Sequence, residues 1–130
     1  LSAHARALLA LEEPLAIMGD YNVIPEETDV ENPAAWADDA LFQPQSRAAF
    51  RALKWLGFTD AYMQVDGAPG GYTFWDYQAG AWQRNNGIRI DHALLSPQAA
   101  DLLRGCVIHR DARGWEKPSD HVPVVVELDL

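Results

Sequence analysis

Residues 88–95 read Ile-Arg-Ile-Asp-His-Ala-Leu-Leu, an apolar, β-prone run with an arginine and a carboxylate set inside it. This run constrains the fold more than any other segment. Its branched and apolar side chains predict a buried strand over Ile88–Leu95. A carboxylate in such a strand must be paired or hydrogen-bonded, because burying it alone is costly. Two readings of Asp91 stay open: a structural ion pair with a nearby arginine, or a group held at a site. His92 alternates to the opposite face and reads as structural.

Other elements follow from periodicity and punctuation. Ser2–Leu11 predicts a helix with Ala5, Leu8, Leu9 and Leu11 on one side, ended by Pro14. Leu15–Met18 predicts a short buried strand, and residues 19–33 a polar loop leaving it. Ser46 is the expected N-cap of a helix reaching Leu56, with Gly57 as its stop. Phe58–Tyr62 predicts a second strand, and Tyr72–Trp75 a strand end. Pro97–Arg104 predicts a helix, and Cys106–Arg110 and Val122–Leu128 predict strands. Strands alternating with helices give an α/β or α+β fold, and 130 residues suit one small domain.

Ten basic residues against 19 acidic ones leave a net charge of −9. This argues against broad, non-specific attachment to nucleic acid. Bound divalent cations, or Arg84, Arg89, Arg110, Arg113 and Lys117 gathered on one face, would reverse the local field. Cys106 is the single cysteine. It sits in a strand-like run, reads as core, and suits a reducing cytoplasm. No apolar run is long enough to span a membrane. The first residues form no signal peptide and no initiator methionine is present, which suggests a start inside a longer parent chain.

Three short clusters carry chemistry-bearing residues. Gly19-Asp20-Tyr21-Asn22 follows an apolar strand, where Asp and Asn are ordinary turn formers but also point together into one site if the pleat continues. Ile90-Asp91-His92 lies inside the long strand. Ser119-Asp120-His121 precedes the closing strand and reads either as a turn or as a metal ligand beside an imidazole acid or base. A Ser-His-Asp hydrolase does not fit. Ser119 lies in no G-x-S-x-G elbow, and adjacent residues rarely reach triad geometry. His4 and His109 have no chemical context.

The ordered set Gly-Asp-x-Asn, Ile-Asp-His and Ser-Asp-His-x-Pro resembles the endonuclease/exonuclease/phosphatase superfamily. The text between these motifs is most similar to its exonuclease III branch of abasic-site endonucleases. It includes Asp29-Val30, Gly57-Phe58-Thr59-Asp60, Tyr72-Thr73-Phe74-Trp75-Asp76-Tyr77 and Asn86-Gly87-Ile88-Arg89-Ile90-Asp91. The likeness runs over nearly the whole chain.

The resemblance implies a DNase I-like sandwich of two sheets flanked by helices, each half of the family's chain supplying one sheet. This chain matches the C-terminal half. No stretch matches the early Asn, the metal-binding Glu, or the Tyr and Arg near the phosphate that the N-terminal half supplies. Asp20 resembles the carboxylate that orients or deprotonates the attacking water. Asn22 would hold that carboxylate or the phosphate. Asp91 would pair with His121, and His121 would contact a phosphate oxygen. Asp20, Asn22 and Asp120 would stand at a Mg²⁺ or Mn²⁺ ion.

Phe74, Ile88 and Ile90 match the family's pocket for a base-free sugar, and ordinary strand packing is the other reading of Ile90. Trp75 falls in the DNA-facing segment, and Arg89 is expected to contact substrate. The implied activity is cleavage of duplex DNA at abasic sites and 3′ ends. A phosphatase acting on lipid or inositol phosphates and a non-catalytic fragment are the alternatives. The sheet that normally packs on the other half would be left apolar, inviting self-association or pairing with that half.

Overall fold

A computed structural model describes residues 1–130. Thirteen short elements alternate along the chain. Helix α1 spans Ser2–Leu9 and strand β1 spans Ala16–Asp20. Helices α2 (Pro33–Trp36) and α3 (Pro44–Trp55) follow, then β2 (Thr59–Asp60) and α4 (Ala61–Val65). Strand β3 is Asp91–Leu95, helix α5 is Pro97–Ala100, and β4 (Leu103–Ile108) and β5 (Val124–Leu128) close the chain. Short 3₁₀ turns at Glu27–Asp29, Ala40–Phe42 and Arg110–Gly114 complete the set.

Both sheets are antiparallel. One has the order β1-β3-β2 and the other is β4-β5. The chain therefore supplies strands to two layers, where the resemblance implied one sheet per half. Register explains how the layers meet. Ala16 pairs with Leu95 and Met18 with Ala93, so alternate residues of β3 share a face. Ala93 and Leu95 pack against Cys106 of β4, with Val124, Val126 and Leu128 of β5 around them. The other face carries Leu94, which joins Phe50 and Leu53 of α3, Phe58, Val23 and Ala5. Cys106 is core, as its strand-like surroundings predict.

Several elements depart from the sequence reading for identifiable reasons. Helix α3 begins at Pro44, because proline's fixed φ suits the first turn. Ser46 therefore lies inside the helix, where its hydroxyl donates to the Ala40 carbonyl. Asp60 ends the expected strand over Phe58–Tyr62 after two paired residues. Its carboxylate accepts from the Met63 amide and starts α4 instead. The strand expected from Ile88 is regular only from Asp91. Ile88 bridges to Val30 on one side and Phe74 on the other, and Thr73 Oγ1 accepts the amides of Ile90 and Asp91 at 3.1 and 3.2 Å.

Arg89 is 1% exposed and lies between two carboxylates. Its guanidinium meets Asp29 at 2.8 Å and Asp60 at 2.9 Å, and stacks over the Tyr62 ring. Burial alone would discourage the guanidinium charge, but the two carboxylates outweigh it and hold the proton more firmly than usual. Burial likewise favours a neutral Asp60, and Arg89 reverses this, so its pKa lies below the ordinary value. The structural ion pair considered for Asp91 is made instead by Arg89, two residues earlier, with Asp29 and Asp60.

Candidate active site

Two pairings bring the three clusters together. In the β1–β3 ladder Asp20 stands opposite Asp91. On the other side, the extended segment Thr73–Trp75 lies between Ile88 and the Asp120–Val122 segment. The amide of Trp75 donates to the Asp120 carbonyl at 3.0 Å, and that of Val122 to the Thr73 carbonyl at 2.9 Å. His121 is thereby carried to Asp91.

The His121 Nδ1 atom lies 2.8 Å from Asp91 Oδ2. Its Nε2 atom lies 3.7 Å from Asp20 Oδ2. One oxygen of each carboxylate and one ring nitrogen all fall within 4.8 Å of one another. A deprotonated carboxylate only accepts, so Asp91 fixes a proton on Nδ1 and turns Nε2 toward Asp20. Burial works against a charged imidazole. The Asp91 hydrogen bond and the charges of Asp91, Asp20 and Asp120 prevail, raising the His121 pKa above its ordinary value. The Phe74 ring stands edge-on to His121, with centroids 5.2 Å apart.

Asp20 is the last residue of β1 and is solvent-exposed. Its Oδ1 accepts the Asn22 amide at 2.8 Å, closing a tight turn. Asn22 adopts a left-handed conformation with φ 51° and its side chain faces solvent. Asp120 is half-buried and adjoins His121.

The donor chemistry suits a hard divalent cation. The Asp20 and Asp91 carboxylates that meet at His121 offer oxygen, which Mg²⁺ and Mn²⁺ prefer, while Asp120 stands outside that group. Asp91 engages Nδ1 of His121, which leaves Nε2 as the free ring nitrogen facing Asp20.

Burial corrects part of the expected substrate surface. Arg89 is locked by Asp29 and Asp60. Trp75 is fully buried, its indole N–H donating to Asn85. Ile88 and Ile90 are buried beside Ile24, Val30 and Phe42. Packing occupies these four side chains, and only Phe74 of the set borders His121. The basic face shrinks too. Arg113 is buried, stacked over Tyr77 and donating to the Trp75 and Asp76 carbonyls. Arg84, Arg110 and Lys117 remain exposed.

Thr73 escaped the sequence reading. It is wholly buried, and its hydroxyl holds the β3 backbone at Asp91. A hydroxyl inside an otherwise aromatic run, Tyr72-Thr73-Phe74-Trp75, was the available signal.

A profile described as the endonuclease/exonuclease/phosphatase family matches residues 1–121, and the chain belongs to that family. An exodeoxyribonuclease of Bacillus subtilis is 35% identical over 120 residues, which are 92% of this chain and 46% of that protein. A 3′ phosphatase of Neisseria, solved with a product DNA hairpin, superposes with a TM-score of 0.94 at 33% identity. That match covers 99% of this chain and 50% of that one. An AP endonuclease from Archaeoglobus fulgidus gives 0.92 at 32% identity, covering 99% and 51%. The fold is the DNase I-like fold of these nucleases. The chain spans about half the length of the relatives it matches.

Proposed function

We propose that this chain is the C-terminal portion of a divalent-metal-dependent DNA repair nuclease of exonuclease III type. It would hydrolyse phosphodiesters of duplex DNA at abasic sites and 3′ ends. One observation carries the reading: Asp20, Asp91 and His121, from three separate motifs, converge with their ligand atoms within 4.8 Å of one another. The relatives named above include an exodeoxyribonuclease and an AP endonuclease, beside a 3′ phosphatase solved with product DNA.

In this reading Asp20 orients a water and accepts its proton. Asp91 holds the His121 ring in one tautomer and favours its charged form. The imidazolium Nε2–H then donates to a phosphate oxygen as negative charge builds there. Asp20, Asn22 and Asp120 would hold Mg²⁺ or Mn²⁺, which when bound offsets phosphate charge and lets an acidic chain approach DNA. Phe74 offers an apolar edge to a sugar that lacks its base. No helix is long and apolar enough to cross a membrane; the single cysteine suits a cytoplasmic protein.

Exposed apolar side chains support pairing with the missing half. Val107 and Val125 stand opposite each other on one face of β4-β5, each about half exposed, as is Met18 of β1. The test is cleavage of a duplex carrying one abasic-site analogue, with Mg²⁺ and with a chelator, by the chain and by Asp20→Ala. Metal-dependent cutting lost in the variant supports the assignment. A folded but inert chain that gains cutting when an N-terminal half is restored supports it as a partial site. Cutting that survives both chelator and Asp20→Ala refutes it, as does activity confined to lipid or inositol phosphates.

A further inference from the structure

We infer that His92, outside the convergent cluster, is a positioning residue for Asp20. This rests on the proposal that Asp20 acts on the attacking water. His92 lies opposite Gly19 in the β1–β3 ladder, one residue from Asp91 and on the other face of the sheet. It is 2% exposed. Its Nε2 lies 2.9 Å from the Val23 carbonyl oxygen. A carbonyl only accepts, so the proton sits on Nε2 and the imidazole donates. Nδ1 is buried without a partner. That geometry leaves the ring one hydrogen bond, and it is spent on the turn after β1.

The turn needs this restraint. Asn22 sits at φ 51°, a conformation that non-glycine residues adopt at some cost. The same residue's amide closes an Asx turn on Asp20 Oδ1. The chain is fastened before it by the Tyr21 amide on the Ile90 carbonyl at 3.0 Å, and after it by the Ile24 amide on the Leu41 carbonyl at 2.7 Å. Between these, the His92 bond is the side-chain tie from β3 to the turn. Packing sets the ring's own orientation. Phe50 lies 4.7 Å away and Tyr21 meets it edge-on at 5.6 Å, centroid to centroid. His92 thus links the aromatic core under α3 to the carboxylate at the mouth of the site without touching the reacting atoms.

The experiment reads the turn directly as well as catalysis. Amide hydrogen exchange at Asn22 is measured by NMR in the chain, in His92→Phe and in His92→Gln, with thermal unfolding of each. His92→Phe keeps an aromatic ring but has no donor; His92→Gln restores an N–H at similar reach. The expected result is at least tenfold faster exchange at Asn22 in His92→Phe, with the β1–β3 amides still protected, and recovery in His92→Gln. Where cleavage is measurable, kcat falls in His92→Phe with KM little changed, and His92→Gln regains it.

Unchanged Asn22 protection in a folded His92→Phe overturns the inference. So does loss that spreads equally to the β1–β3 ladder, which would make the role one of general packing. If His92→Phe does not fold, His92→Met takes its place as a donor-free side chain under the same criteria. Because exchange needs no turnover, the expected Asn22 response in a chain that stays inert even after an N-terminal half is restored refutes the nuclease reading alone.

Discussion

Asp91 and His121 are 30 residues apart in the chain and meet at 2.8 Å through Oδ2 and Nδ1. The contact joins the start of β3 to the loop before β5. It raises the His121 pKa by supplying both a hydrogen bond and a charge. Asp91→Asn is expected to lower the His121 midpoint measured by NMR titration of the ring. His121→Asn is expected to reduce cleavage by about two orders of magnitude or more, the usual scale for losing an acid–base group. An unmoved midpoint in Asp91→Asn would show that the neighbouring carboxylates, rather than this contact, set the pKa.

Removing Arg89 strands two buried carboxylates, Asp29 and Asp60. Arg89→Met is therefore expected to cost about 3–5 kcal/mol in denaturant unfolding. Adding Asp29→Asn and Asp60→Asn to it should recover part of the loss, since the uncompensated charges are gone. A single variant as stable as the parent would show that water reaches this network.

Acid should unfold the chain in two stages. Burial, with help from the Arg89 charge, lowers the His92 pKa from 6.5 to about 4. A base whose folded pKa is depressed contributes stability that is present above its unfolded pKa and lost as pH falls toward the folded one. Stability should therefore decline from about pH 6.5 toward about pH 4, by on the order of 3 kcal/mol. Asp60 has the same sign at lower pH: its pKa is below 3.8, so its contribution is present above that value and lost beneath it. Denaturant midpoints measured across this range should fall less steeply in His92→Gln. Parallel curves for the two proteins would assign the first stage to other groups.

Phe74 and its neighbours should separate in kinetics. Phe74 is half-buried and borders His121, so Phe74→Ala is expected to raise KM for abasic substrate about three- to tenfold, the worth of one aromatic contact. Ile88 is fully buried, so Ile88→Val should cost about 1 kcal/mol of stability and leave KM unchanged. Steady-state kinetics alongside thermal melts check both. A KM change in Ile88→Val without a stability change would return that residue to the substrate surface.

Much of this molecule is legible in one dimension. The strand at Leu94 and Leu95, the helix carrying Phe50 and Leu53, and the core role of Cys106 follow from local periodicity, because a buried face imposes its spacing on the chain. The three motifs were visible because carboxylates, an amide and a histidine cluster just where strands give way to loops. Boundaries were less legible. Asp60 reads as part of a strand, yet its carboxylate caps the next turn, and this competition is settled only when Met63 comes within reach.

The sequence by itself determined the residue types at the site and the family pattern that orders them. Tertiary structure decided which of those residues share a space. Local text marks Arg89, Trp75 and Ile88 as candidates for substrate contact just as it marks Phe74. The fold gives Arg89 to Asp29 and Asp60, gives Trp75 to Asn85, and buries Ile88 beside Val30. Burial depends on packing partners tens of residues away, and side-chain periodicity cannot name them. The Asp91–His121 contact has the same origin: it exists because Thr73–Trp75 pairs on both sides, with Ile88 and with His121.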